Sequence, residues 1–230
     1  MTAPTLISTT PTTDWTSGGA TKTIGPVSVQ SGDILCVDAA TEDSNTGTTG
    51  TLAISDSVGL PWTLERSNTA ASSCATYTWT APIASNGSVT ITLTLTGNNA
   101  GHYGGIAKLW RGSSGVGNSA IATAQNTAQV SITTAAANSA INIFGADWNA
   151  TSGARSWGSA SEDVYVNDGS NYTVVGAHIA NSGSIGTYTV GTSTPTGMKA
   201  AVIAVEIQGT GGAAASVPYM PYGLQPMLAS

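Results

Sequence analysis

Twelve acidic residues are spread along a chain of 230, and two groups of them stand close enough in sequence to act together. The first is Asp38, Glu42 and Asp43 with Asn45; the second is Glu162, Asp163 and Asp168 with Asn167. Calcium is held by several oxygen ligands drawn from one short segment, which makes Asp38, Glu42 and Asp43 the candidate metal ligands. Two carboxyls at a set separation are also what glycoside hydrolysis needs. Solvated loop acids, without any chemistry, are the commoner reading of such groups. The spacing singles out no acid pair, so no catalytic residue is assigned and no cofactor beyond calcium is considered. His102 and His178 lie in separate contexts, without a neighbouring Cys or a metal-ligand spacing. The chain has no HExxH, no P-loop and no Gly-x-Ser-x-Gly elbow. The run Gly112–Gly117 is glycine-rich but leads into no helix, whose N-terminus a phosphate cradle requires. The expectation is a protein that is not an enzyme.

Two further residue types could make contacts. Of the six tryptophans, Trp79 and Trp110 lie in strand patterns and read as core. Trp148 and Trp157 flank the loop Asn149–Ala154, where an exposed ring could stack on a sugar; packing is the competing account. Cys36 sits in the apolar run Ile34–Val37 and Cys74 among small residues. They read either as two small hydrophobes or as a disulfide between neighbouring strands.

The elements that must position these residues are strands. Ser88–Thr96 alternates strictly between apolar and hydroxyl side chains, as does Gln129–Thr133, the pattern of a strand with one buried and one wet face. Asp33–Val37 and Ala201–Ile207 are more continuously apolar, as expected of strands covered on both sides. Turn residues such as Asn86-Gly87, Gly97-Asn98-Asn99 and Asn167-Asp168-Gly169 separate the runs at short intervals. No segment keeps a helical apolar period. The predicted class is all-β, a two-sheet antiparallel β-sandwich of jelly-roll type over residues 1–209. An internal echo runs through it. Ile83-Ala84-Ser85-Asn86-Gly87-Ser88 resembles Ile179-Ala180-Asn181-Ser182-Gly183-Ser184, and Ile106–Gly112 resembles Ile203–Gly209. Either two similar small domains follow each other or one sandwich is built from two related halves. The second is preferred, with halves of about 25–112 and 129–209, because four or five strands each are too few to cover their own apolar face.

Residues 210–230 differ in composition. A Gly/Ala hinge, Thr210–Ala215, leads to Val217, Pro218, Tyr219, Met220, Pro221, Tyr222, Leu224, Pro226, Met227 and Leu228. The prolines exclude helix and inner strand, while the apolar side chains suit an extended arm that docks in a groove on a neighbouring chain or on its own domain.

Composition narrows the partners. Only 8% of residues are charged, against roughly 25% in ordinary soluble domains. The net charge is −6, with six basic residues scattered at Lys22, Arg66, Lys108, Arg111, Arg155 and Lys199. Without a basic run, nucleic-acid binding is not expected. The longest apolar stretch, near Ala200–Val205, is far too short for a membrane span. The N-terminal residues show neither a basic n-region nor an apolar h-region, so no conventional export signal is expected.

Several segments carry a likeness: SGDILCV at Ser31–Val37, WTL at Trp62–Leu64, YTWTAPIASNGSVTITLTL at Tyr77–Leu95, AKLWRGSSGVG at Ala107–Gly117, ANSAINIFGADWNA at Ala137–Ala150 and KAAVIAVEIQG at Lys199–Gly209. With these, residues 25–209 resemble a jelly-roll family of minor tail proteins of bacteriophages infecting actinobacteria. The resemblance implies a structural protein of the virion, made in the host cytoplasm and released by lysis. Its partners would be other virion proteins and copies of itself, with host attachment through a cell-surface glycan as an added role. A capsid decoration protein and a free-standing carbohydrate-binding module are the alternatives.

Overall fold

The computed structural model describes residues 2–12, 14–16, 18–42, 50–70, 74–97 and 101–210. Among them there is no helix, and fifteen strands all pair antiparallel. The first eight are β1 (Thr5–Pro11), β2 (Thr21–Val29), β3 (Ile34–Glu42), β4 (Thr51–Asp56), β5 (Thr63–Ala70), β6 (Cys74–Pro82), β7 (Gly87–Thr96) and β8 (Tyr103–Arg111). The other seven are β9 (Ser113–Asn126), β10 (Ala128–Thr133), β11 (Ala140–Asp147), β12 (Ser161–Asn167), β13 (Thr173–Ile179), β14 (Thr187–Thr192) and β15 (Met198–Gly209).

The sheets show why the sequence echoes itself. The first eight strands form one sheet ordered β1-β8-β3-β6-β5 and another ordered β2-β7-β4. The last seven form β9-β15-β11-β13-β12 and β10-β14. Position by position the second set repeats the first, and among the described residues only β4 lacks a counterpart. In each half the first strand pairs with the last and the second with the next to last, the wrapping of a jelly roll. The architecture is thus an all-β sandwich in which each half closes its own pair of sheets. The halves carry eight and seven strands rather than four or five. The estimate fell short because β1 precedes the recognisable repeat, and because β9 (SSGVGNSAIATAQN) has the Gly and Ser content of a loop.

The layers follow from the side-chain alternation. Ile24, Leu52, Ile91 and Leu93 on the small first sheet face Leu35, Val37, Ala107 and Leu109 on the large one. Val130, Ile132 and Val190 likewise face Ile141, Val175 and Val202 in the second half. The opposite faces of the two large sheets meet each other. Ala40, Cys74 and Ile106 pack on Phe144, Val174 and Ala201, while Ile34, Cys36 and Trp110 pack on Ala140, Ile203 and Val205. Each large side chain fully buried in this seam contributes roughly 1.5–3 kcal/mol relative to exposure, so the halves are held together by a core of their own. Hence all nine residues of β3 are buried, while β7 alternates between apolar side chains inside and hydroxyls outside. Both patterns match the sequence reading, and Trp79 and Trp110 are indeed core.

Two glycines make the close approaches possible. Gly112, at φ 72°, is the one residue between β8 and β9 and carries the chain from the first half to the second. Gly104 leaves room for the Trp15 ring, which would stand 2.6 Å from a Cβ there.

Candidate functional site

On β8, Ala107 and Leu109 face the first core, so strand alternation turns Lys108 into the seam between the halves. Its ammonium is surrounded there. Lys108 Nζ donates to Asn142 Oδ1 at 2.8 Å and to the Ala177 carbonyl at 3.1 Å. It forms ion pairs with Asp163 Oδ2 at 2.9 Å and Asp38 Oδ2 at 3.5 Å. Asn142 Nδ2 donates to both oxygens of Asp38, at 2.9 and 3.1 Å, and Thr78 Oγ1 donates to Asp38 Oδ1 at 2.7 Å. His178 Nδ1 lies 2.7 Å from Asp163 Oδ1, with its ring edge-on to Trp110. Asp38, Lys108 and Asn142 have no exposed surface at all.

Two carboxyls and one amine cannot share this dry space on equal terms. Burial pushes the Asp38 carboxyl above its usual range, and Lys108, Thr78 and Asn142 offset this only in part. Burial acts on Asp163 in the same direction, but the His178 hydrogen bond and the Lys108 charge outweigh it and hold Asp163 low. For Lys108 burial opposes the ammonium, and the charges of Asp38 and Asp163 overcome that and raise it. Of the two carboxyls, Asp38 is therefore the one that takes up a proton more readily. The cluster places an amine, a primary amide and a protonatable acid in mutual contact.

The residues singled out from sequence are distributed differently from the expectation. Asp38 and Glu42 stand four residues apart on the extended β3, about 13 Å, and do not share a site. Asp38 is engaged by Asn142 and Lys108, whereas Glu42 pairs with His102 Nδ1 at 3.1 Å. Asp43 lies outside the described residues. Asp38 and Glu42, read as loop acids with calcium as one candidate, prove to lie on a strand, and among the described residues no three His, Cys, Asp or Glu gather as a metal site. The second acidic group also separates. Glu162 binds the Arg155 guanidinium and the Trp157 indole N–H on the outside, while Asp163 turns inward. Burial nudges Asp168 upward, but the N–H groups of Asn171, Ser170 and Tyr172 prevail and bring its carboxyl down to about 2.

Trp148 and Trp157 are both half-buried and pack on different clusters, Trp148 at the seam and Trp157 on the second core. They do not form one shared face. Cys36 and Cys74 are free and buried. Across from Cys74 stands Glu42, six residues along β3 from Cys36, roughly 20 Å, beyond the reach of a disulfide. The arm residues Val217, Pro218, Tyr219, Met220, Pro221, Tyr222, Leu224, Pro226, Met227 and Leu228 lie outside the described residues.

Sequence reasoning missed Lys108, Asn142 and Glu206. Each sits within an apolar strand, and a single polar residue inside such a run was the available signal. Glu206, also without exposed surface, accepts hydrogen bonds from the N–H groups of Asn118 (2.9 Å), Ala135 (2.8 Å) and Ala136 (2.9 Å) and from Ser139 Oγ (2.7 Å).

On the outer surface an open groove of about 370 Å³ runs beside Val29, Val58, Leu60, Pro61, Pro82 and Val89. It lies at the end of the fold where the described chain finishes. Thr210 bridges to Thr2, and β1 pairs with β8 from Thr5 opposite Arg111. Arg111 forks onto Asp33, whose backbone bonds to Ile83 on the groove wall. No helix among the described residues is long and apolar enough to cross a membrane. No protein-family model, no curated protein and no solved structure matches the chain.

Proposed function

We propose that this chain is a non-enzymatic structural protein of a bacteriophage virion, a minor tail component that assembles with other virion proteins and with copies of itself. The resemblance over residues 25–209 motivates this reading. One structural observation supports it further: the apolar groove lies at the end of the fold where Thr210, the last described residue, bridges to Thr2. The segment 211–230 is rich in Pro, Tyr, Met and Leu. Twenty residues span at most roughly 70 Å, enough to reach a groove on a neighbouring copy. Elsewhere Asp38, Glu42, Glu162, Asp163, Asp168 and Glu206 hold internal partners, and Asp38, Lys108 and Asn142 in the seam have no exposed surface. Such a molecule works by fitting against neighbours. The protein would be made in the host cytoplasm and leave with the particle at lysis.

The test is light scattering on three forms: the full chain, residues 1–209, and the full chain with Val58→Arg. Val58 is 58% exposed on the groove wall, so its replacement leaves the core intact. We expect a defined oligomer from the full chain, a folded monomer from 1–209, and weakened association for Val58→Arg. Equal sizes for the full chain and 1–209 would remove the arm as an assembly element. Rings or stems in electron micrographs would favour a tail position, and three-fold or five-fold clusters a capsid position.

A further inference from the structure

Lys108, Asn142 and Asp38 come from β8, β11 and β3, so they link the first half of the molecule to the second. Their arrangement has the three parts of an acyl transfer. Lys108 Nζ is 2.8 Å from the carbonyl oxygen of the Asn142 amide. A C=O bond is about 1.2 Å long, so the amide carbon is at most about 4 Å from the amine. Reacting atoms in near-attack geometry stand roughly 3–3.5 Å apart, and a small side-chain adjustment covers the difference. The amide nitrogen, the group that would leave, rests on both oxygens of Asp38 at 2.9 and 3.1 Å. Asp38 Oδ2 is also 3.5 Å from the amine itself. One carboxyl thus touches both nucleophile and leaving group, and no solvent reaches any of the three.

We propose that Lys108 and Asn142 join in an intramolecular isopeptide bond, formed once per chain with Asp38 as proton shuttle, which staples the two halves across their seam. The reaction starts with the Lys108 proton moving to Asp38, leaving a neutral amine beside a neutral acid. The Nζ lone pair attacks Asn142 Cγ while Asp38 protonates the carbonyl oxygen. Asp38 then takes a proton from the former amine and delivers it to Nδ2. The Cγ–Nδ2 bond breaks and the carbonyl re-forms. Ammonia leaves, a secondary amide remains, and the original lysine proton stays on Asp38. No oxidant or other reactant is needed.

Two features of the cluster support this course. Burial already favours the neutral form of Asp38, which the shuttle requires. The second carboxyl near the amine, Asp163, is held ionised by His178 and Lys108, and a carboxylate anion is a poor electrophile beside a neutral amide. The two carboxyls also stabilise the Lys108 ammonium, so the reactive amine is a minor species and the bond forms slowly after folding. The inference does not rest on the virion reading, since it concerns only the inside of one chain.

The experiment is intact-mass measurement on the full chain, denatured after incubation until the mass is constant. A chain lighter than its sequence mass by one ammonia is expected. Digestion after Lys and Arg should then yield residues 67–111 joined to residues 112–155 through Lys108 and Asn142. Asp38→Asn, confirmed as folded by circular dichroism, should keep the full sequence mass. An unmodified mass for the folded wild-type chain overturns the proposal. Loss of one water instead also overturns it, because that outcome points to Asp163 as the acyl group.

Discussion

Glu206 offers a demanding test of how the second half is held together. Its carboxylate is buried, has no cation beside it among the described residues, and accepts from three backbone N–H groups and one hydroxyl. Those donors belong to β9 and to the turn between β10 and β11, so one side chain on β15 ties three segments. Consider Glu206→Gln, which keeps the shape and replaces one oxygen by NH2. On the Oε2 side that NH2 would face the N–H groups of Asn118 and Ala135. On the Oε1 side it would face the Ala136 N–H and the Ser139 hydroxyl, which can rotate to accept. The second orientation is better and leaves one buried N–H orphaned, costing about 1–3 kcal/mol. The remaining bonds also lose their charge assistance, so we expect a total of roughly 2–4 kcal/mol. For a chain of this size that lowers Tm by roughly 5–15 °C. Glu206→Met fills the same space but orphans all three backbone donors, for roughly 4–8 kcal/mol, enough to threaten folding. Urea unfolding followed by tryptophan fluorescence measures both. If the Gln variant is within about 0.5 kcal/mol of wild type, or the Met variant is the more stable of the two, hydrogen bonding to Glu206 does not hold these segments.

Asp168 and the cysteines supply further checks. The folded Asp168 carboxyl is lowered to about 2 from 3.8, so its contribution is present above pH 4 and fades as pH falls through about 2. Because the side chain is solvent-exposed, Asp168→Ala should cost only about 1 kcal/mol at neutral pH. In urea titrations that difference should shrink towards zero near pH 2; a constant difference would mean the charge is irrelevant. Burial pushes both the Cys36 and Cys74 thiols well up, so neither should react with a thiol reagent in the native state. Both should react after unfolding without reductant, and a count below two would reveal a disulfide.

Much of this fold is legible in the sequence because strand alternation reports on burial directly. Ser88–Thr96 reads as a strand with one wet face, and Asp33–Val37 as one covered on both sides; β7 and β3 behave that way. The echo between Ile106–Gly112 and Ile203–Gly209 marks β8 and β15, which hold equivalent places in their sheets. The cover over the echoing strands is what the sequence hides. An apolar run shows that both faces are buried and not by what, so the small sheets and the seam had to be seen. The site was less legible still. Asp38 looks like a loop acid because Glu42 and Asp43 follow it, yet its partners Thr78 and Asn142 are 40 and 104 residues away. Contacts at such separation leave no local signal.

The seam shows why polar residues sit in an otherwise apolar layer. Burial of Phe144, Ile203, Trp110 and Ile106 draws the large sheets together, but hydrophobic attraction is non-directional. Two flat apolar faces could slide past one another at little loss. Directional bonds remove that freedom. Asn142 must meet Asp38 with its nitrogen and Lys108 with its oxygen at once, which fixes β11 against both β3 and β8. In the freshly folded chain, before any bond joins Lys108 to Asn142, sliding by one residue pair would strand a buried ammonium and two buried carboxyls, and breaking such a cluster costs about 3–5 kcal/mol. Apolar area therefore accounts for the adhesion of the two halves, and the Asp38–Asn142–Lys108 cluster for their alignment.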